Sequence, residues 1–429
     1  MATKQLTIFI HSMDGTGHIN AAIGLGQTAL KRGHKVYYLL NEAFKGQASL
    51  FGLAEILLVD KPKPKPETDV SSKTEDAAAA ENPIKMLSQQ LLSTGLLSGA
   101  NSLEKLKLME KADFFEDMLQ RAIVFEPQIE KALNEKKPDL IILDHFYISP
   151  AIQRSGFSTS SDPATWTEFS EVYQKTFPPM LKIMQERLNK EFNYKPESSS
   201  TLGKMAFPHS KYLNLYAYPR ELDYQDIVPL PANYCQIDAF CRVMPEPFKI
   251  PEELNVKPGD KVIYVSMGSM GSIDIELNKK FASILAKTPH KVIFSKGPLA
   301  DEYELPANAW GEAYVPQTAL LPHVDLVITH GGNNSVTETF SFGKPMIVHP
   351  LFADQWDNAQ RIEECGFGVR LRPYDFTEEE LLSAVDRLLN DKKLNERLKE
   401  AAKRIETSNS KEKAIERMEK LVELHKVVQ

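Results

Sequence analysis

The sequence predicts an α/β fold built on parallel sheets, and three observations lead there. Short β-branched apolar runs, too brief for helices, recur along the chain and read as strands buried on both faces. Residues 6–11, 35–40, 138–146, 261–269 and 324–329 are the clearest. Amphipathic helical patterns stand between them, the alternation expected of strand–helix–strand units. Finally, 429 residues are enough for two or three separate cores, and a proline-rich, acidic stretch at 241–259 reads as a linker.

Residues 6–11 form the first strand and 12–18 the loop after it. Residues 19–32 are an amphipathic helical pattern with apolar positions at Ile23, Leu25 and Leu30, Gly33 stops the helix, and 35–40 are the second strand. The loop has two readings. Gly15-Thr16-Gly17, with Glu42 after the second strand, imitates a dinucleotide fingerprint. Against this, Asn20 replaces the third glycine and the His18 imidazole intrudes where a pyrophosphate would lie. The other reading makes His18 itself the chemical group.

Beyond the second strand the pattern loosens. Residues 61–66 alternate lysine and proline as a polyproline-like surface loop, and 68–80 form a polar, alanine-rich connector. Residues 83–128 are helical in pattern, with apolar positions at Met86, Leu87, Leu91, Leu92, Phe114, Phe115, Met118 and Leu119. Such stripes are usually core. Residues 138–146 are a buried strand with Asp144 at its carboxyl end. An aspartate there can be no more than a cap, and Asp113, Asp117 and His145 are alternative titratable groups. Residues 155–201 are polar with aromatics at Trp166, Phe169, Tyr173 and Phe177, and 212–217 form another strand. After Phe376 the chain is helical and highly charged to its end, apart from a turn near Asn390.

Composition narrows the function classes. A net charge of −7 argues against a nucleic-acid-binding surface. Cys235, Cys241 and Cys365 have no metal-ligand spacing and form no even disulfide set, which points to a reducing compartment. No signal-peptide core precedes the first strand, and no apolar run approaches the length of a membrane helix. A cytoplasmic protein without a membrane anchor is expected, and a monomer.

Residues 324–329 are a strand, His330-Gly331-Gly332-Asn333-Asn334-Ser335 a turn, and a helical pattern opens at Val336. Strand, glycine turn and helix together aim backbone N–H groups and the positive end of a helix dipole at an anion such as a phosphate. Residues 345–350 form the next strand and deliver Asp354-Gln355 to the carboxyl edge of the sheet, where open α/β folds bind ligands. A glycine pair alone is weak. The combined order is more specific: Pro316-Gln317, the His330–Ser335 turn, Glu338, then Pro-Leu-Phe-Ala-Asp-Gln at 350–355. In this order the chain resembles the UDP-dependent glycosyltransferases, the inverting family with two facing Rossmann-like, doubly wound domains of the GT-B type. The likeness is to the soluble enzymes of plants, bacteria and some arthropods. It is strong in the C-terminal half and in pieces at the N-terminal edge, where Gly17-His18 matches an opening Gly-His. Ala21 stands where the family usually has proline.

The resemblance implies an acceptor-binding domain at 1–240, a linker at 241–259, a UDP-sugar domain at 260–400, and a C-terminal helix at 401–429 that crosses back. It implies catalysis by His18 as general base with Asp144 as its partner. The helices of 83–128 and a lid near 178–192 would wall the acceptor pocket. Tyr314 would stack on the uracil, Val315 and Gln317 would meet base and ribose, and Glu338 would accept the ribose hydroxyls. Ser269, His330, Gly332, Asn334 and Ser335 would hold the diphosphate without a metal, and Asp354 and Gln355 would bind the sugar. The implied reaction moves a hexose, with glucose expected from Gln355, from a UDP-sugar co-substrate to a small lipophilic or phenolic hydroxyl, as in detoxification. No cofactor is expected. The rival readings are an NAD-dependent oxidoreductase using the Gly15 loop, a sugar-nucleotide epimerase of the same architecture, and a non-catalytic nucleotide-sugar binder.

Overall fold

The computed structural model describes residues 4–60, 92–95, 97–99, 108, 114–144, 210, 212–225 and 230–428. The lysine–proline loop at 61–66, the connector at 68–80, Met86, Leu87, Leu91, Asp113, His145, the aromatic stretch at 155–201 and the lid near 178–192 fall outside the described residues. So do the side chains of Phe114, Phe115, Asp117, Met118 and Leu119.

The N-terminal half opens with strand β1 (Thr7–His11), helix α1 (Thr16–Lys31), β2 (Lys35–Asn41) and β3 (Ala54–Leu58), followed by α2 (Phe114–Lys136) and β4 (Leu140–Leu143). These strands pair in parallel in the order β3-β2-β1-β4. β1 is buried on both faces, which explains its unbroken apolar run. Ile8 and Ile10 pack against Ile19 and Ile23 of α1, while Phe9 packs on the opposite face with Phe125 and Ile129 of α2. β5 (Asn214–Ala217) and β6 (Tyr234–Ile237) form a separate parallel pair.

The second sheet holds β7 (Val262–Ser266), β8 (Lys291–Ser295), β9 (Ala309–Glu312), β10 (Leu326–Thr329), β11 (Met346–Val348) and β12 (Gly368–Arg370). Their order is β12-β11-β10-β7-β8-β9, every pair parallel. Around it stand α3 (Ile275–Leu285), α4 (Asn333–Ser341), α5 (Gln355–Glu364), α6 (Glu378–Asn390) and α7 (Lys392–Thr407). Their apolar faces close one continuous core about Ile263, Phe281, Ile328 and Phe340. The last helix, α8 (Ser410–Val428), leaves that core at Asn409 (φ +50°) and packs Ala414, Ile415, Met418 and Val422 against the first sheet's core. The crossing therefore lies near 408–409, whereas the sequence boundary was drawn at 400–401.

Both sheets reverse strand order beside their first strand. In the first sheet this lies between β1 and β4, where His11 pairs with Leu143. In the second it lies between β7 and β10, where Ser266 pairs with Thr329. A reversal parts the connecting loops and opens a crevice at the strands' carboxyl ends, the place where α/β sheets take ligands. Two helices begin earlier than expected: α1 at Thr16 rather than 19, and α4 at Asn333 rather than 336. Neither has a side-chain cap on its N-cap glycine, so the sequence carried no start signal.

Candidate active site in the cleft between the sheets

The two crevices open into a single cleft of about 2410 Å³. Its wall includes His18, Asp144 and every residue expected to meet the nucleotide sugar except Gln355.

On the N-terminal side, β1 and β4 end together, and the Asp144 N–H donates to the carbonyl of His11 at 3.0 Å. This fixes Asp144 just past β4. The early start of α1 puts His18 in its first turn, and His18 Nδ1 lies 2.5 Å from Asp144 Oδ2. The His18 side chain keeps 31% of its surface exposed, against 10% for Asp144. A neutral ring that donates a hydrogen bond from Nδ1–H to the carboxylate carries its lone pair on Nε2, the atom a general base needs. Burial works against the charged ring, but the hydrogen bond and charge of Asp144, with the charge of Asp354 across the cleft, outweigh it. The net result is a pKa above the ordinary 6.5.

On the C-terminal side, His330 follows β10 directly. Its ring lies against the backbones of Gly268 and Gly332, where an added Cβ would come within 2.5 Å of it in either case. Gly268 also has φ +70°, a region open to glycine. Burial pushes the His330 pKa down to about 4, so the ring is a neutral hydrogen-bonding group at physiological pH. Gly331 (φ +85°) makes the turn into α4, where an added Cβ would strike Val348 Cγ1 at 2.6 Å. Gly332 caps α4 without a side-chain oxygen, so the N–H groups of the first turn look outward to other partners. The Asp354 carboxylate takes one of them, from Asn333 at 3.2 Å. Ser269 and Ser335 stand on the same wall. Asn334 and Asn333 span the cleft: Asn334 Nδ2 donates to the Gly17 carbonyl at 2.6 Å, and Asn333 Nδ2 to the Ala217 carbonyl at 3.0 Å.

Deeper along the wall, Glu338 is buried with both carboxylate oxygens engaged. Gln317 Nε2 donates to Oε2 at 2.6 Å, and an Arg242 guanidinium nitrogen lies 3.6 Å from Oε1. Burial raises the Glu338 pKa, and Arg242 and Gln317 oppose that rise. Arg242 also donates to the Tyr314 hydroxyl at 3.0 Å. Tyr314 is 54% exposed while Val315 beside it is buried.

Asp354 opens onto the cleft, yet the surrounding protein desolvates it and its pKa rises. Its Oδ2 accepts from Asn358 Nδ2 at 3.0 Å as well as from the Asn333 N–H. Gln355 stands behind this wall. It is buried, and its side-chain oxygen accepts from the Leu351 and Phe352 N–H groups at 2.8 and 3.1 Å. Its side-chain carbonyl holds the 351–355 turn, and Gln355 does not line the cleft.

Sequence reasoning missed Arg242, Asn333 and Asn358. Arg242 was read as part of a linker, with no motif around it. Asn333 and Asn358 lie inside or beside recognised motifs, but their backbone partners are distant in sequence.

Residues 222–406 match the family model of UDP-glucoronosyl and UDP-glucosyl transferases. Over 97% of both chains the protein is 25% identical to the NDP-glycosyltransferase YjiC of Bacillus subtilis (strain 168). Over a shorter stretch, 36% of this chain and 29% of the other, it is 33% identical to human UDP-glucuronosyltransferase 1A7. Among solved structures, a glycotransferase of kitacinnamycin superposes with a TM-score of 0.70 at 18% identity, covering 98% of this chain and 100% of that one. The glycosyltransferase VinC in complex with dTDP does so at 0.63 and 16%, covering 97% and 100%. Both are likenesses of fold.

Proposed function

The chain belongs to the UDP-glycosyltransferase family and is an enzyme that takes sugar from a nucleotide-sugar donor, and from that premise we propose an inverting transfer of glucose from UDP-glucose to a hydroxyl of a small lipophilic or phenolic acceptor. The observation that carries this reading is the placement of the His18–Asp144 pair opposite the uncapped N-terminus of α4 in one cleft. One side of the cleft offers a base and the other an anion site.

The steps follow from that arrangement. The acceptor oxygen attacks the anomeric carbon on the face opposite the nucleotide, forming the new C–O bond as the bond to the diphosphate breaks. His18 Nε2 takes the hydroxyl proton, and Asp144 orients the ring and balances the imidazolium that forms, as the carboxylate does in hydrolase triads. The electron pair of the broken bond leaves on the diphosphate. The N–H groups of α4, neutral His330, and the hydroxyls of Ser269 and Ser335 would stabilise that charge. Tyr314 would stack on uracil, with Val315 and Gln317 around base and ribose, and Glu338 would accept the ribose hydroxyls. Asp354 would take sugar hydroxyls, and Gln355 would act by holding the turn that presents it. The three free thiols favour a reducing compartment, and the cytoplasm is our proposed location.

The test is direct. The protein is incubated with UDP-glucose and a panel of phenols, and products are read by mass for one added hexose. A hexose adduct on at least one phenol, absent with His18→Ala, is expected. No adduct on any phenol, or equal adducts with His18→Ala, removes the reading. Comparing UDP-glucose with UDP-galactose and UDP-glucuronate on one acceptor then tests the donor, with the highest kcat/KM expected for glucose.

A further inference from the structure

Among the described residues Arg242 is the one buried arginine of the cleft wall, and nothing in the proposed chemistry has used it. Its guanidinium reaches two groups at once, the Tyr314 hydroxyl at 3.0 Å and Glu338 at 3.6 Å. These are the groups proposed to meet the nucleobase and the ribose. Arg242 itself comes from the strand-to-linker segment after β6, outside the second sheet that carries the rest of the nucleotide wall.

The mount of that segment is rigid. Gln27 of α1 grips Val243 from both directions, its amide donating to the Val243 carbonyl at 3.0 Å and its oxygen accepting the Val243 N–H at 2.8 Å. Lys411 of α8 donates to the Cys241 carbonyl at 2.7 Å. Gly24 of α1 lets residue 240 approach so closely that a Cβ there would lie 1.9 Å from the Phe240 carbonyl oxygen. A long, flexible side chain held at its backbone in this way loses little further freedom when it makes its hydrogen bonds.

We propose that Arg242 is a nucleotide-positioning residue: mounted on α1 and α8, it completes the nucleotide site of the other domain by fixing Tyr314 and holding Glu338 as an ionised acceptor for the ribose 2′- and 3′-hydroxyls. The chemistry supports the second role. An ionised carboxylate is acceptor-only and can receive two vicinal hydroxyls, whereas a protonated one must spend an oxygen as donor. Glu338 is buried, and burial alone favours its neutral form. A fixed guanidinium beside Oε1 opposes that effect and favours the ionised form. The site then prefers a ribonucleotide to its 2′-deoxy analogue, because loss of the 2′-hydroxyl strands a buried, charged acceptor.

This inference rests on the proposal that the cleft binds UDP, and one binding experiment separates the two. Calorimetric Kd values are measured for UDP and 2′-deoxy-UDP with the wild-type chain, Arg242→Gln and Arg242→Lys, alongside KM for UDP-glucose and for the acceptor. The wild type should bind UDP about 10- to 100-fold more tightly than 2′-deoxy-UDP. Arg242→Gln should bind both with nearly equal, weakened affinity, and raise KM for UDP-glucose while leaving KM for the acceptor in place. Arg242→Lys keeps the charge but cannot reach both partners, so it should fall between. Wild-type discrimination retained in Arg242→Gln overturns the proposal. Should Arg242→Gln fail to give a cooperative melt, wild-type discrimination in Arg242→Lys overturns it equally, and intermediate discrimination upholds it. If the wild type binds UDP without discriminating, this inference fails and the UDP reading stands. If it binds neither nucleotide, both fail.

Discussion

At the scale of single residues, the behaviour of the site turns on what Asp144 and Asp354 do to His18. The proposed base, His18, must be neutral to act, and its pKa lies above 6.5 despite burial. As pH falls through that raised pKa the active form disappears, so log(kcat/KM) should rise with slope near one on the acid side and level off above it. Asp144→Asn removes the strongest charge-stabilising contact. The ring pKa then falls, the acid limb moves to lower pH, and the plateau drops because the ring is less well oriented. Asp354→Asn should shift the limb in the same direction by less. His18→Ala should lower kcat by about 10²- to 10⁴-fold while UDP binding stays near wild type. A pH profile of kcat/KM for the three variants checks all of this. An acid limb that stays fixed in Asp144→Asn would show that another group titrates. His18 was legible in the sequence because Gly17-His18 is contiguous. Asp144 needed a family likeness to stand out from Asp113, Asp117 and His145, and its 126-residue separation from His18 is closed only by the pairing of β1 with β4. Arg242 could not be found that way. Its partners are set by how two separate helices, α1 and α8, clamp one irregular segment.

The element scale explains which parts of the fold were readable. β1, β7 and β10 lie inside their sheets and bury both faces, so they appear as unbroken apolar runs. The strands the sequence did not single out include β3, β9 and β12, which are the outer members of their sheets. β9 reads Ala-Trp-Gly-Glu and β12 reads Gly-Val-Arg. Such short strands with a glycine or a charge carry no period-2 signal, because one edge of each needs no partner. β8 escaped although β7 and β9 flank it. The same scale governs the anion site. α4 brings N–H groups and the neutral ring of His330 to the wall proposed to hold the diphosphate. Activity should therefore survive excess EDTA, and a loss restored by Mg²⁺ or Mn²⁺ would overturn this account of leaving-group stabilisation. Gly268→Ala should be felt through the same ring. Its Cβ would sit 2.5 Å from His330, at a backbone φ of +70°. We expect KM for UDP-glucose to rise by about tenfold or more with KM for the acceptor little changed, as steady-state kinetics would show.

At the scale of the whole molecule, the C-terminal helix ties the two halves together. α8 follows α7, which packs on the second sheet's core, yet it buries Ala414, Ile415, Met418 and Val422 in the first. Its anchor is Glu419. Oε2 accepts from Arg32 at 2.7 Å, and Oε1 accepts from Arg32 Nε and from His34 Nε2, both at 2.8 Å. His34 Nδ1 in turn accepts the Leu6 N–H at 3.2 Å, so the ring is used on both sides and donates through Nε2. Arg32 and His34 flank the glycine that ends α1, and no sequence pattern ties them to a glutamate 387 and 385 residues away. Glu419→Ala would leave the buried His34 imidazole without its acceptor and Arg32 with Glu416 alone, costing about 2 kcal/mol. A calorimetric melt should show the loss as a lower Tm. The pH dependence gives the sharper test. The hydrogen bond from Arg32, supported by His34, holds the Glu419 pKa below its ordinary 4.5. A carboxylate with a depressed folded-state pKa contributes its stability in full above the unfolded value, and that contribution is lost as pH falls through the folded one. The Tm gap between the wild type and Glu419→Gln should thus hold between about pH 6 and pH 8 and close progressively below about pH 4.5. A gap of the same size at about pH 3 would mean that packing around residue 419, rather than the ionised carboxylate, fastens the helix.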